Sequence, residues 1–378
     1  MSKKIVFLSG TRADFGKMKS LMLLAQNEKG IHTDVFVTGM HLQKSYGYTL
    51  NEIKSSNIKN IYKFNNSNAQ NAMDITLSKT IEGFSRYLKN NKPDMIIVHG
   101  DRVEALAGAI CGAINNILVA HIEGGEVSGT IDDSIRHAVS KFSHIHLVTD
   151  SKSKKRLVQL GEKKSNIFIL GSPDLDLMTP KNLPNLDEAL RHYDVKFKEY
   201  AIVLYHPVTS EISKLNSNSI ALNSSLVKSK GNYIVIYPNN DHGSDLIIKN
   251  YDSLKSSDNF AIFPSIRFEY FLTILKHSQF IIGNSSCGLR EAPHFNVPTI
   301  NIGTRQNNRR SLDSIKNCGY SSGEILKTIN KIQRIKQIDK INSKRSKHTN
   351  SAKKFIKILN NKNIRQVSSQ KIFNDIKF

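Results

Sequence analysis

The chain has 378 residues, with 54 Lys and Arg against 32 Asp and Glu, a formal net charge of +22 and 39% apolar residues. That length suits two domains that each bury a core, and the ordinary 21 Gly and 9 Pro exclude collagen-like, low-complexity and wholly disordered chains. The basic excess, which by itself would suit a polyanion, is concentrated: Lys327 to Arg365 holds 13 basic residues against the acid Asp339.

At the start of the chain, Lys3 and Lys4 precede the apolar stretch Ile5–Leu8, and Thr11, Arg12 and Asp14 follow at once. This is too short for a signal peptide, and no run of about 18 apolar residues follows anywhere, so no membrane contact and a cytoplasmic location are expected. Short apolar runs then alternate with helical patterns, the mark of βα units on a parallel sheet. The predicted strands of the first half are Lys4–Ser9, Asp34–Thr38, Met95–His99, Leu118–Ile122, His144–Val148 and Ile167–Leu170. Helical stretches such as Arg102–Ile114, Asp132–Phe142 and Ser151–Leu160 lie between them.

A break at Gly171-Ser172-Pro173 continues through the Pro- and Asn-rich Pro180–Pro184, which reads as a linker. A second series follows, with strands Tyr200–Tyr205, Tyr233–Tyr237, Phe260–Phe263, Phe280–Ile282 and Thr299–Ile302 and helices such as Phe268–Lys276 and Gly288–Phe295. Residues 1–172 and 173–345 are therefore expected to form two α/β, Rossmann-like doubly wound domains facing a central cleft, with 346–378 as a helical tail. In the basic segment Ile329, Ile332, Ile335 and Ile338, then Phe355, Ile356 and Leu359, recur at helical spacing. Its charges therefore read as solvated helix faces, and with no zinc-finger or aromatic RNA-binding signature nearby, no nucleic-acid partner is expected. Cys111, Cys287 and Cys318 show no paired spacing, which argues against disulfides and a Cys-based metal site.

Polar residues gather just after the predicted strands. Ser9-Gly-Thr-Arg12-Ala-Asp14-Phe-Gly16-Lys17 is a strand-to-helix turn without the GxGxxG or Walker pattern; its cationic start suits phosphate, and Arg12 and Asp14 are candidate substrate contacts. His99-Gly-Asp101-Arg102-Val-Glu104 follows the next central strand, and His121-Ile-Glu123-Gly-Gly-Glu126 and Thr130-Ile-Asp132-Asp133-Ser-Ile-Arg136 follow another. Carboxylates at sheet tips could be metal ligands, acid–base groups or helix caps. The spacing lacks any ion-specific pattern, so no metal is expected; Asp133 and Arg136, three apart on a helix, could simply pair. Asp101, Glu123 and Asp132 are the better catalytic candidates, because crowded carboxylates separate one another's pKa values.

In the second series His206-Pro207-Val-Thr209 and Pro238-Asn239-Asn240-Asp241 end two strands. Gly283-Asn-Ser285-Ser286-Cys287-Gly-Leu-Arg-Glu291 reads as an anion site: Ser285 or Ser286 caps a helix whose free N–H groups face a diphosphate, and Glu291 can accept from ribose hydroxyls. Cys287 reads as a packing residue.

The strings SGTRADFGK, HGDRVEALAG, HIEGGEVSGTIDDSIRHA, HPVT, YPNND, GNSSCGLREAP and GTRQNNR closely resemble the hydrolysing UDP-N-acetylglucosamine 2-epimerases of sialic-acid synthesis, over roughly residues 4 to 310. The resemblance implies a glycosyltransferase-B-like fold, UDP held by the second domain, a last helix packed on the first, and a homodimer. It implies elimination of UDP through 2-acetamidoglucal and hydration to N-acetylmannosamine, the first step of sialic acid synthesis, with no metal or redox cofactor. Mapped here, the family's acids match Asp101, Glu123 and Asp132. Arg12, Arg102, Ser285, Ser286 and Arg305 are similar to its phosphate and uridine contacts, Asn239 to a nucleotide contact, Glu291 to the ribose acceptor and His206 to a histidine beside the diphosphate. HPVTSE stands where non-hydrolysing relatives carry an Arg- and Glu-containing string. The nearest rival is an epimerase for a 2,4-diacetamido UDP-sugar; a glycosyltransferase and a basic RNA- or membrane-surface protein are more distant.

Overall fold

Alternation of apolar β-branched runs with amphipathic stretches gives, in the computed structural model, two sheets whose strand pairings are all parallel. Residues 3–68, 72–178, 183–307, 312–334 and 350–376 are described. Among them the first sheet is built from β1 (Lys3–Ser9), β2 (Ile31–Val37), β3 (Ile61–Lys63), β4 (Met95–His99), β5 (Leu118–Ile122), β6 (Ile145–Val148) and β7 (Ile167–Ile169), in the order β3-β2-β1-β4-β5-β6-β7. The second contains β8 (Ala201–Leu204), β9 (Tyr233–Ile236), β10 (Phe260–Phe263), β11 (Ile281–Gly283), β12 (Thr299–Ile302) and β13 (Ile315–Cys318), ordered β10-β9-β8-β11-β12-β13. Helices cover both faces of the first sheet, so central strands are buried, β4 throughout and β1 from Ile5 to Ser9, and read as apolar runs.

Two edge strands were not legible in the sequence. β3 is three residues long and mostly exposed, and β13 buries only its end residues, so neither has the apolar run that marks the inner strands. A continuous helix over Gly288–Phe295 is also corrected. The chain makes a single 3-10 turn, Ser286–Gly288, is distorted at Arg290 (φ −113°, ψ −63°), and restarts as Glu291–His294. Pro293 has no N–H to give to an upstream carbonyl, so it fits only in a helix's first turn and forces a new start at Glu291.

By contact the chain divides into a unit of Met1–Val127, Ile131–Thr179 and His348–Phe378 and a unit of Ser128–Thr130 and Pro180–Lys347. The short helix Pro173–Leu177 packs on the Arg12–Gln26 helix, which keeps the chain in the first unit beyond residue 172. The tail helix Ser351–Leu359 lies on that same helix; Phe355 is fully buried and tilted against Phe7 at a ring separation of 5.9 Å. Residues 180–182 of the expected linker, Ile335 and Ile338 of the basic segment, residue 345 and residues 346–349 of the expected tail, and Asn308 and Arg309 of GTRQNNR lie outside the described residues.

Candidate active site

In the first unit the tips of β1, β4 and β5 deliver a buried cluster of charge. The turn after β1 is fixed by a capping box: Thr11 Oγ1 accepts from the Asp14 N–H at 3.2 Å, and Asp14 Oδ2 accepts from the Thr11 N–H at 3.0 Å. That fixes the Asp14 carboxylate, whose other oxygen lies 3.0 Å from Nδ1 of His99, the last residue of β4. On the far side of the ring Nε2 stands 3.3 Å from Glu123 Oε2, an ion-pair contact not aligned as a hydrogen bond. Glu123 follows β5 in a left-handed conformation (φ 65°) and is 2% exposed. Lys17 Nζ, one turn after Asp14 and also buried, donates to both Glu123 oxygens at 3.2 and 3.3 Å.

Two cations thus face two carboxylates in a region closed to water, where a lone charge would be expelled or neutralised. Burial works against protonated His99, but Glu123 and Asp14 more than offset it and raise its pKa to about 9. Burial likewise disfavours ionised Asp14, yet the hydrogen bond and charge of His99, with Thr11 and Arg102, hold its carboxyl below the ordinary value. His99 is therefore an imidazolium at neutral pH.

Asp101 joins this cluster through Arg136. The Arg136 guanidinium, 2% exposed, bonds Asp101 Oδ2 and donates to the Glu123 carbonyl at 3.0 Å. Arg136 was read in the sequence only as a partner of Asp133, which itself sits 3.2 Å from His137 Nε2. Asp132 lies in the first turn of the Ile131–Phe142 helix, half-buried, on the helix that carries Arg136. Arg12 begins the Arg12–Gln26 helix and is half-buried. Arg102 caps Val103–Ile114 with its Nε 3.9 Å from Glu104 Oε2. Burial raises the pKa of Glu104, only partly opposed by Arg102. A Cβ on Gly10 or Gly39 would lie 2.9 or 2.8 Å from the Glu104 side chain, so small residues there make its room.

The second unit gathers mostly uncharged groups, with the Arg305 guanidinium, around Asn284 at the tip of β11. Asn284 Oδ1 accepts from the His206 N–H at 2.6 Å while Nδ2 donates to the His206 carbonyl at 2.8 Å. His206 Nδ1 accepts from the Asn239 N–H at 3.1 Å. A ring nitrogen that accepts carries no proton, so neutral His206 presents its hydrogen on Nε2. Arg305 Nη1 and Gln306 Nε2 both donate to the Asn284 carbonyl, at 3.3 and 2.7 Å. Ser285 caps the 3-10 turn, its Oγ accepting from the Cys287 N–H at 3.4 Å, and Ser286 begins it. An anion here would meet the N–H groups of one turn rather than the start of a long helix. Glu291, past the break, is 4% exposed. Cys287 is buried, and burial pushes its thiol up to about 12, which suits packing.

Sequence reasoning missed Lys17, His99, Asn284 and Gln306 as site groups. Lys17 and His99 stood inside the quoted strings, but nothing in their spacing shows that both converge on Glu123.

A family profile described as UDP-N-acetylglucosamine 2-epimerase matches residues 24–360. The chain is 44% identical over 99% of both lengths to the UDP-N-acetylglucosamine 2-epimerase of Neisseria meningitidis. It is 34% identical to the hydrolysing UDP-N,N'-diacetylbacillosamine 2-epimerase of Legionella pneumophila, covering 83% of this chain and 85% of that one. It is also 34% identical to polysialic acid biosynthesis protein P7 of Escherichia coli, over 90% and 89%. The solved structure of a Neisseria meningitidis UDP-GlcNAc 2-epimerase bound to UDP-GlcNAc superposes with a TM-score of 0.75 at 18% identity, over 94% of this chain and 99% of that one, which establishes a shared glycosyltransferase-B-like fold.

Proposed function

The chain belongs to the UDP-N-acetylglucosamine 2-epimerase family, and from that premise we propose that it is a hydrolysing member, converting UDP-N-acetylglucosamine and water to N-acetylmannosamine and UDP. The observation that carries this reading is the first-unit cluster in which Lys17 and His99 hold Glu123 while Arg136 ties Asp101 to the Glu123 backbone. Epimerisation at C2 requires a proton to leave one face and another to arrive on the opposite face. Two separately held carboxylates beside a buried imidazolium provide acid and base together.

In the proposed sequence a carboxylate takes the C2 proton and the C1–O bond breaks, its electron pair leaving with UDP. The product at this stage is 2-acetamidoglucal. Hydroxide from water then adds at C1 and a proton returns to C2 on the other face, giving N-acetylmannosamine; one water is consumed overall. Asp101, Glu123 and Asp132 share proton removal, proton return and water activation. In the second unit, neutral His206 offers its Nε2–H to the departing diphosphate, where negative charge grows. Ser285, Ser286 and Arg305 bind phosphate and uridine, Asn239 contacts the nucleotide and Glu291 the ribose; Arg12, Asp14 and Arg102 line the sugar-phosphate side. The HPVTSE segment supports the hydrolysing assignment, since it lacks the Arg- and Glu-containing string of non-hydrolysing relatives.

The Legionella relative, a UDP-N,N'-diacetylbacillosamine 2-epimerase, favours one second reading, a 2,4-diacetamido UDP-sugar. The P7 relative supports a place in sialic acid synthesis, and the family reading carries a cytoplasmic homodimer, tested by light scattering at twice the 42.5 kDa chain mass. Proton NMR in deuterated water with UDP-N-acetylglucosamine tests the reaction. Release of UDP with N-acetylmannosamine deuterated at C2 is expected. UDP-N-acetylmannosamine would overturn the hydrolysing assignment, and turnover only of the diacetamido sugar would replace the substrate.

A further inference from the structure

Residues 366–376 have no regular secondary structure, and Ile372 and Phe373 are 68% and 85% exposed, as in a segment that would ordinarily fray. Yet it is anchored to the first unit at three successive residues. The Ser369 carbonyl accepts from His144 Nε2 at 3.0 Å; the ring's Nδ1 accepts from the Val119 N–H, so Nε2 is the donor. Gln370 Nε2 donates to Asn116 Oδ1 at 2.6 Å. Lys371 Nζ lies within 3.0, 2.8 and 2.8 Å of the carbonyls of Ser140, Lys141 and Ser143, and 2.6 Å from Glu162 Oε2.

Those three carbonyls close the Ile131–Phe142 helix. The last carbonyls of a helix carry the negative end of its dipole and are short of backbone donors; the Ser140 carbonyl also accepts from the Ser143 N–H at 3.1 Å, and the ammonium adds a donor at all three carbonyls while meeting the field. Glu162 is itself buried and held by His146 Nε2 at 2.9 Å, which fixes the far side of the ammonium.

The same helix supports the catalytic cluster at two points. Arg136 bonds Asp101 and the Glu123 carbonyl. Ser140 Oγ lies 3.1 Å from His121 Nδ1, and His121 Nε2 lies 2.8 Å from the carbonyl of Gly100, the left-handed residue (φ 74°) that turns the chain from β4 into Asp101. At 1.5 Å of rise per residue, Arg136 is only about two turns from the capped end, so fraying there disturbs both supports.

We infer that Lys371 is a positioning residue: by closing the C-terminal end of the Ile131–Phe142 helix, the tail holds Asp101 and Glu123 in their working geometry. The inference rests on the proposed function for its kinetic consequence only.

The test uses the full chain with Lys371→Met, Lys371→Arg, Ser140→Ala and, as a control that removes a tail anchor without touching the helix end, Gln370→Ala. Hydrogen exchange, kcat and KM for UDP-N-acetylglucosamine, and UDP affinity are measured well below each variant's melting temperature. Lys371→Met should speed exchange from residue 143 back to Arg136 and lower kcat about tenfold, with KM and UDP affinity changed less than about twofold. Lys371→Arg should restore most of the kcat, Ser140→Ala should reproduce part of the loss, and Gln370→Ala should match the wild type. Faster exchange confined to the last turn, or a lower melting temperature with unchanged kcat, would reduce the tail to a structural brace. Should Lys371→Met not fold, Ser140→Ala with unchanged kcat and exchange overturns the inference. A wild type inert toward UDP-N-acetylglucosamine with the exchange pattern intact would overturn the function and leave the coupling standing.

Discussion

The two polar centres of this protein are built from opposite materials. Around Glu123 the first unit buries full charges, Lys17 and His99 against Asp14 and Glu123 with Arg136 against Asp101. Around Asn284 the second unit uses amides, a neutral imidazole and backbone groups, with Arg305 reaching in to a carbonyl. Burying ions requires close pairing, and a charge set so held moves protons with little reorganisation; a neutral amide network is inexpensive to bury and gives a fixed shape. The contrast fits the proposed division, with proton chemistry at the first centre and ligand holding at the second.

The sharpest way to break that division is Glu123→Gln, which keeps the shape and removes the charge. Turnover should fall by about 10³-fold while UDP affinity, measured by calorimetry, stays within about threefold. Near-normal turnover would end the acid–base assignment. Next in size, Lys17→Met leaves Glu123 buried with one cation fewer and should cost about 3 kcal/mol of stability in urea unfolding. On the other side, Arg305→Ala should weaken UDP binding about tenfold, about 1.4 kcal/mol, with kcat at saturating substrate nearly unchanged. Were Arg305→Ala to lower kcat as much as Glu123→Gln does, the two centres would not be separable.

Most strands were legible because parallel strands buried on both faces read as continuous apolar runs bounded by turns. β4, β5, β10 and β12 have the expected bounds, whereas the exposed edges β3 and β13 carry no such pattern. The broken helix after Ser286 had a visible sign in Pro293, outweighed by the apolar and small residues around it. For the site, acids at strand tips pointed to the right neighbourhood. What one dimension hides is convergence: Lys17 and Glu123 are brought together from elements 106 positions apart. Asn284, a bland residue in a small-residue string, matters only because the β8 and β11 ends adjoin. The tail's Lys371 was one basic residue among many until its partners were visible.

The gentlest test concerns His99 alone among the buried histidines of the first unit. Burial lowers His41 to about 4 and His121 to about 3, and lowers His144 and His146 as well, so the unfolded chain binds their protons more readily and acid weakens the fold below about pH 6.5. His99 has the opposite sign. Its folded pKa, about 9, lies above the ordinary 6.5, so its contribution is complete below pH 6.5 and is lost as pH rises through 9. Urea midpoints should therefore decline between pH 6.5 and 9 in the wild type, and His99→Asn should flatten that alkaline limb; the acid limb is shared by the other four described rings with carboxylates such as Asp14, which His99 holds below its ordinary value, so the readout is the alkaline slope. An unchanged alkaline slope in His99→Asn would mean that the imidazolium between Asp14 and Glu123 is not the form the folded protein keeps, and the charged character of the first centre would have to be redrawn around Lys17 and Arg136.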